Sequence, residues 1–398
     1  MPPKDFSTAG YRQDSPDGLV PTRDFVHNCL RPNADFNDGS LWETTKVGNE
    51  HGGTGTANTL RAPARTTALR SYKYSVFEFS SLIDSSSMDG SHWSLILRCL
   101  TSNWKHFDAF VILHGTDTLA YTASALAFML GPVDRTVIVT GSQLSMYAPH
   151  SDANDNLLDS MTIAASYQVP EVGVVFHHHL YRGTRVTKVS AFSVAGFTTP
   201  NAKPLANFER HGGKPWSVAL QSDSIRPSDG HSNLGLVRVP TRGFDESISF
   251  DAGRVAVLKV YPGISIGLIS SIVQIPNLGG VVLETFGAGN IPLGNGSKGL
   301  LEILAGAVEN GVVVVSVTQC LTGSVTTAYE SARKMERRGI VTGLDMTTEA
   351  AYTKLVWLLS NVQHSPSDVA RKMRDNLQGE LTADFREEQR IQDRVPEK

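Results

Sequence analysis

Two threonines and an aspartate stand together as Thr116, Asp117 and Thr118 inside "FVILHGTDTLAYTASALAFML" (110–130). An apolar run rich in β-formers leads into them and a helix-periodic segment follows, so they fall at a strand tip where a helix begins. One reading is helix capping, in which a Thr or Asp side chain accepts from a free backbone N–H and adds about 1 kcal/mol. Capping needs one such residue, and here there are three. The other reading is chemical. A hydroxyl beside a carboxylate is half of an activated nucleophile and lacks only a base. In open parallel sheets ligands sit beyond the carboxyl ends of the strands, which is where this cluster lies.

The elements that must hold these residues are legible around them. "FDAFVILH" (107–114) predicts a strand, and Leu119, Thr122, Ala123, Leu126 and Leu130 then fall on one helical face. "RTVIVTG" (135–141) and "EVGVVFHH" (171–178) predict two more strands, with a helix over "NLLDSMTIAASY" (156–167) between them. A second alternating run follows the loop-like tract 211–235. It comprises "RVAVLKVYPGIS", "GGVVLETFGAGN", "KGLLEILAGAVENG", "VVVVSVTQC" and the helix "DMTTEAAYTKLVWLLS". This pattern predicts the α/β class, with a larger N-terminal domain built on a mainly parallel sheet and a smaller C-terminal α/β domain. The expected division is 11–215, a linking region 216–252, 253–382, and a charged tail 383–398. No internal repeat is evident.

The chain has 398 residues, of which 40% are hydrophobic, enough to fill more than one core. Lys and Arg number 36 against 39 Asp and Glu, and a net charge of -3 gives no electrostatic reason to bind nucleic acid or an anionic membrane. A small molecule or a second copy of the chain is the expected partner. Cys29, Cys99 and Cys320 are too few and too scattered for a disulfide framework or a zinc site, which fits a reducing compartment. "MPPKDFSTAGYRQDSPDG" lacks the basic and apolar regions of a signal peptide. No apolar stretch reaches the ~18–20 residues of a membrane helix. The expectation is a soluble, cytoplasmic protein.

Three further motifs suggest other chemistries. "HGGTGTANT" (51–59) suggests a phosphate loop, but no strand precedes it and no Lys-Ser/Thr closes it, so a flexible surface insertion within the low-order tract 37–71 is expected. A nucleotide-binding protein would also need G-x-G-x-x-G after a strand, which is lacking. "HHH" (177–179) suggests a metal. Neighbouring strand residues point to opposite faces, so at most His177 and His179 share a side, and no carboxylate joins them at ligand spacing. A non-metal role is expected.

Taken with "VIVTGSQ" and "SDANDNLL", the opening motif resembles the L-asparaginase family, in its cytosolic, bacterial type I-like branch. "LIDSSSM" (82–88), "LYRGTRVTK" (180–188), "YPGIS" (261–265), "ETFGAGN" (284–290), "TQCLTGSV" (318–325) and "GLDMTTEAAYTKL" (343–355) extend the likeness from about residue 11 to "GELT" at 379–382. The resemblance implies hydrolysis of L-asparagine to L-aspartate and ammonia by threonine nucleophile chemistry, with no metal and no organic cofactor. It implies two threonine-centred sets of catalytic residues, with Thr116, Asp117 and Lys188 forming the second. A desolvated lysine can take a proton from a neighbouring hydroxyl while a carboxylate holds it in place. Asp84, Ser85 and Ser86 match positions that grip the substrate's amino-acid backbone. Asn290 is expected to close the pocket from a neighbouring subunit, which implies a homodimer or homotetramer.

The sequence also departs from the family. A "GGTI"-type strand and turn, carrying the usual primary nucleophile, is expected just before "RQDSPDGLVPTRDFV" (12–26), where the chain instead reads "MPPKDFSTAGY". Ser7 and Thr8 are the hydroxyls nearest that place. The expectation is an asparaginase of impaired activity, the alternative being a non-catalytic member that binds aspartate or asparagine. Glu284 stands where some bacterial relatives use an arginine, together with the cysteine matching Cys320, to hold a regulatory asparagine. Control of that kind is not expected here. Ala153 replaces the glycine of the "SDG" turn.

Overall fold

A computed structural model of the chain describes residues 11–15, 18–21, 24–63, 71–146, 148–209, 217–221, 226–227, 250–293, 299–361 and 364–382. The chain divides into two compact units, Met1–Thr199 with Lys203–Glu246, and Pro200–Ala202 with Ser247–Lys398. The class is α/β, with the larger sheet in the first unit and a smaller one in the second. The expected tail 383–398 and most of the expected linking region 216–252 lie outside the described residues.

The first unit is built on a six-stranded sheet in the order Ser217–Leu220, Ala206–Glu209, His179–Arg182, Val172–Phe176, Thr136–Thr140, Ala109–Leu113. Thr136–Thr140 and Val172–Phe176 are buried at every position. Their β-branched, uninterrupted apolar sequences suit a strand covered on both faces. Pairing is parallel only among the last three strands. The rest is antiparallel, because the chain reverses tightly after Phe176. His177 and His178 adopt φ of 45° and 62°, forming a hairpin turn that starts the strand His179–Arg182. The predicted strand 171–178 therefore stops at 176, and the three histidines do not alternate across one strand.

The helix Leu119–Leu130 packs under this sheet and is buried along nearly its whole surface. It ends at Gly131, whose φ of 65° lets its N–H reach the Ala127 carbonyl at 3.1 Å. The helix predicted over 156–167 runs from Ala153 to Ser166. Within the tract 37–71, residues 43–61 are more ordered than expected. Glu43–Gly48, Thr54–Arg61 and Lys73–Val76 form an antiparallel sheet, and "HGGTGT" is the turn and opening of its hairpin. Its signal is polar: Thr45, Thr59 and Ser75 hydroxyls link the three strands at 2.6 and 2.7 Å.

Ala109–Leu113 lies at the edge of the large sheet, with no strand among the described residues on its outer side. A cleft of about 1600 Å³ runs beside it, lined by apolar side chains such as Phe77, Phe79, Ile96, Leu100 and Val111.

The second unit has four parallel strands, Val255–Lys259, Gly280–Thr285, Val313–Thr318 and Val341–Thr342, in chain order. Helices Ile266–Val273, Leu300–Glu309 and Thr348–Ser360 bury Ile269, Leu304 and Leu355 in this unit. Among the described residues no helix is long and apolar enough to cross a membrane.

Candidate active site

Strand Ala109–Leu113 delivers His114 into a turn that is fixed on all sides. The His114 N–H donates to the Thr140 carbonyl at 2.8 Å, tying the turn to the neighbouring strand. The imidazole is buried, which pushes its pKa below the ordinary histidine value, so it is read as neutral. Nδ1 lies 2.7 Å from the Gly115 carbonyl and so carries the proton. Nε2 then accepts from the Thr122 hydroxyl at 2.9 Å, and that oxygen accepts from the Trp93 indole N–H at 3.0 Å. Gly115 has no room for a Cβ, which would stand 2.8 Å from the Ser85 Cβ.

The three polar residues then divide: Thr118 turns to one partner, while Thr116 and Asp117 share another. Thr118, the N-cap residue just before the helix, makes no side-chain cap. Its hydroxyl donates instead to the Ser85 carbonyl at 2.6 Å. Thr116 Oγ1 accepts from Lys188 Nζ at 2.8 Å, and the same ammonium donates to Asp117 Oδ1 at 2.9 Å. Capping therefore does not account for Thr118, and the lysine lies beside the pair although it is 72 residues from Thr116 in the chain. Lys188 is aligned by the antiparallel pairing of Thr187–Lys188 with Phe197–Thr198. Phe197 is anchored against Phe176, with ring centroids 4.6 Å apart. The side chain of Asp117 is 63% exposed and that of Lys188 21%. A pair this open to water adds at most about 1 kcal/mol, so stability does not explain why it is there.

The substrate-binding candidates of "LIDSSSM" also line the cleft. Asp84, Ser85 and Ser86 border it together with Thr116 and Asp117. Asp84 Oδ1 accepts from both the N–H and the hydroxyl of Ser86 at 2.8 Å, so the serine run is a single helical turn capped by its own aspartate. Asn290 lies in the second unit. Its backbone pairs with Phe286, and its Oδ1 accepts from the Ser331 hydroxyl at 2.6 Å. Ser7 and Thr8 lie outside the described residues.

Gln143 escaped the sequence reading. Its Oε1 accepts from the Thr116 hydroxyl at 3.2 Å. The available signal was its place in "TGSQ", at the carboxyl tip of a buried strand like the cluster itself. The histidine triplet has other partners: His178 Nδ1 meets Asp159 Oδ2 at 2.9 Å, and His179 Nδ1 meets Asn207 Oδ1 at 2.8 Å. No cluster of three metal-ligating side chains occurs among the described residues. Glu284 accepts from the Thr348 hydroxyl at 2.7 Å, and Cys320 is exposed.

Residues 41–217 match the family described as "Asparaginase, N-terminal", and residues 254–373 match "Glutaminase/Asparaginase C-terminal domain". This chain belongs to the asparaginase family. L-asparaginase 1 of Escherichia coli K12 is 36% identical over 313 residues, 78% of this chain and 86% of the relative. The 60 kDa lysophospholipase of Mus musculus is 38% identical over 309 residues, 78% of this chain but 51% of the relative. The human protein of the same name is 37% identical and matched over 52% of its length. The chain thus spans about half the length of these two mammalian relatives. Among solved structures, L-asparaginase I from Vibrio cholerae superposes with a TM-score of 0.65 at 36% identity, over 77% of this chain and 85% of that one. The thermostable L-asparaginase from Thermococcus kodakarensis gives 0.65 at 31%, over 76% and 84%.

Proposed function

We propose that this asparaginase-family chain hydrolyses the side-chain amide of L-asparagine to L-aspartate and ammonia. The observation that carries the reading is the contact of one ammonium, Lys188, with both Thr116 and Asp117 at the rim of a cleft. In this reading Thr116 acts in place of the family's usual primary nucleophile, and a neutral Lys188 takes its proton as Oγ1 adds to the amide carbonyl carbon. The C–N bond then breaks as Lys188 returns that proton to the leaving nitrogen, ammonia departs, and water hydrolyses the Thr116 ester to release L-aspartate and restore the hydroxyl. Asp117 holds the lysine in place and faces the substrate's ammonium group. Asp84, Ser85 and Ser86 supply acceptors and donors for the amino-acid end, as a zwitterion requires. Asn290 serves a pocket completed by another subunit, in a homodimer or homotetramer working in the cytoplasm without a cofactor. The division into domains at 11–215 and 253–382 belongs to the same reading.

Ammonia release from L-asparagine, with Thr116→Ala as the comparison, tests it. Release that falls at least ~100-fold in the variant is the expected result. Release that persists unchanged in Thr116→Ala overturns the reading. L-aspartate binding without any ammonia marks a non-catalytic binder.

A further inference from the structure

We propose that Gln143 is a positioning residue that sets the direction of the Thr116 hydroxyl proton and ties it to the loop 189–196. The inference deepens the proposed amidohydrolase reading and rests on it. The Gln143 Nε2 group donates to two backbone carbonyls, Ser190 at 2.9 Å and Ser193 at 3.1 Å. Carbonyl oxygens only accept, so the amino end of the carboxamide must face that loop and its oxygen must face Thr116. Oε1 in turn only accepts, so the hydroxyl proton of Thr116 points at Gln143. The ammonium of Lys188 donates to the same hydroxyl oxygen.

The direction of the whole chain of bonds follows: Lys188 donates to Asp117 and to Thr116, and Thr116 donates to Gln143. No bond is made or broken in this arrangement. The Thr116 proton is held away from Lys188 until the lysine becomes able to accept it. The 3.2 Å separation lies at the long end of hydrogen-bond geometry, which suits a contact that must later be given up.

Gln143 is itself firmly seated. Its backbone N–H donates to both carboxylate oxygens of Asp152, at 3.1 and 3.0 Å, and Leu144 N–H adds a third bond at 3.0 Å. Asp152 is buried and also accepts from Asn156 Nδ2 at 3.0 Å. On the other side, a Cβ at Gly196 would stand 3.1 Å from Gln143 Cδ, so the glycine leaves the carboxamide its space. The loop it grips directly follows Lys188, and Val189 N–H donates to the Gly196 carbonyl at 2.8 Å. One side chain thus fixes the hydroxyl from one side and the strand bearing the lysine from the other.

Steady-state ammonia release by Gln143→Leu and Gln143→Glu, beside Thr116→Ala, tests the assignment. Gln143→Leu is expected to lower kcat at least ~10-fold with KM changed less than ~3-fold, because orientation and not substrate binding is lost. Gln143→Glu accepts from Thr116 but cannot donate to Ser190 and Ser193 until it is protonated, so its kcat should recover as pH falls where the parent's does not. A kcat within 2-fold of the parent in Gln143→Leu, while Thr116→Ala abolishes release, overturns this assignment alone. Persisting release in Thr116→Ala overturns the functional reading beneath it. The pairing is also read without turnover. The Gln143 side-chain amide is expected to give two separate, exchange-protected NMR signals that shift in Thr116→Val. Signals that exchange at the solvent rate and ignore Thr116→Val overturn the proposal.

Discussion

Gly115→Ala tests whether the turn bearing Thr116 is locked against the serine segment. The new methyl carbon would lie 2.8 Å from the Ser85 Cβ, and the Ser85 hydroxyl is closer still. Carbon atoms rest at about 3.5–4.0 Å, so the two segments must part by about 0.7 Å. Turning the serine hydroxyl away does not relieve this, because its Cβ is fixed to the backbone. The segments are also bound together by Thr118 Oγ1 on the Ser85 carbonyl at 2.6 Å, so parting them strains that bond as well. Overpacking of this kind costs about 1–3 kcal/mol. For a unit of this size the unfolding midpoint should fall by about 3–10 °C. Thr116 moves with its turn, and a displacement approaching 1 Å costs up to ~100-fold in rate. We expect calorimetric unfolding to show the lower midpoint and ammonia release from L-asparagine to fall ~10–100-fold. A midpoint within 1 °C of the parent, with unchanged affinity for L-aspartate by titration calorimetry, would refute the packing argument.

Other perturbations probe the frame around the site. The neutral, buried His114 has a pKa depressed below 6.5, so the unfolded chain binds its proton first. Its stabilising contribution is complete above that value and is lost as pH falls toward the folded pKa. The unfolding midpoint should therefore decline below about pH 6.5 and do so less steeply in His114→Gln, and equal slopes would count against burial as the cause. In the second unit, Lys354 and Glu380 form an ion pair at 2.6 Å with both side chains fully buried. Lys354→Met should cost about 3–5 kcal/mol in denaturant unfolding, with much of it recovered on adding Glu380→Gln. Asp89 caps the helix Gly90–Asn103 through the N–H groups of Ser91 and His92, at 2.9 and 3.2 Å. Asp89→Ala should lower stability by about 1 kcal/mol at neutral pH, and by less in acid, where the carboxylate is protonated in the parent too.

How far the sequence discloses this protein depends on the kind of signal each part carries. The helix 119–130 was readable because its core is apolar at helical spacing. The three-stranded sheet within 43–76 was not, because its strands are tied by threonine and serine hydroxyls, while Ala57 and Leu60 provide little apolar alternation. The histidine triplet read as strand because three identical residues carry no periodicity, and the left-handed backbone at His177 and His178 leaves no mark in residue type. Lys188 was found through the likeness of "RVTK" to a known family, since no local spacing connects it to Thr116. Gln143 was missed because a lone amide at a strand tip looks like any loop residue until its partners are seen.

The outer edge of Ala109–Leu113, unpaired among the described residues, has a bearing on how this protein behaves in the test tube. Phe110, Val111 and Ile112 are only partly covered and Leu113 is 47% exposed, so an uncharged ribbon lies along an edge that no strand pairs with among the described residues. Such a margin invites any other extended polypeptide to zip onto it, a neighbouring molecule included. Concentrated preparations should cloud on standing, and a lysine in place of Leu113 should keep them clear.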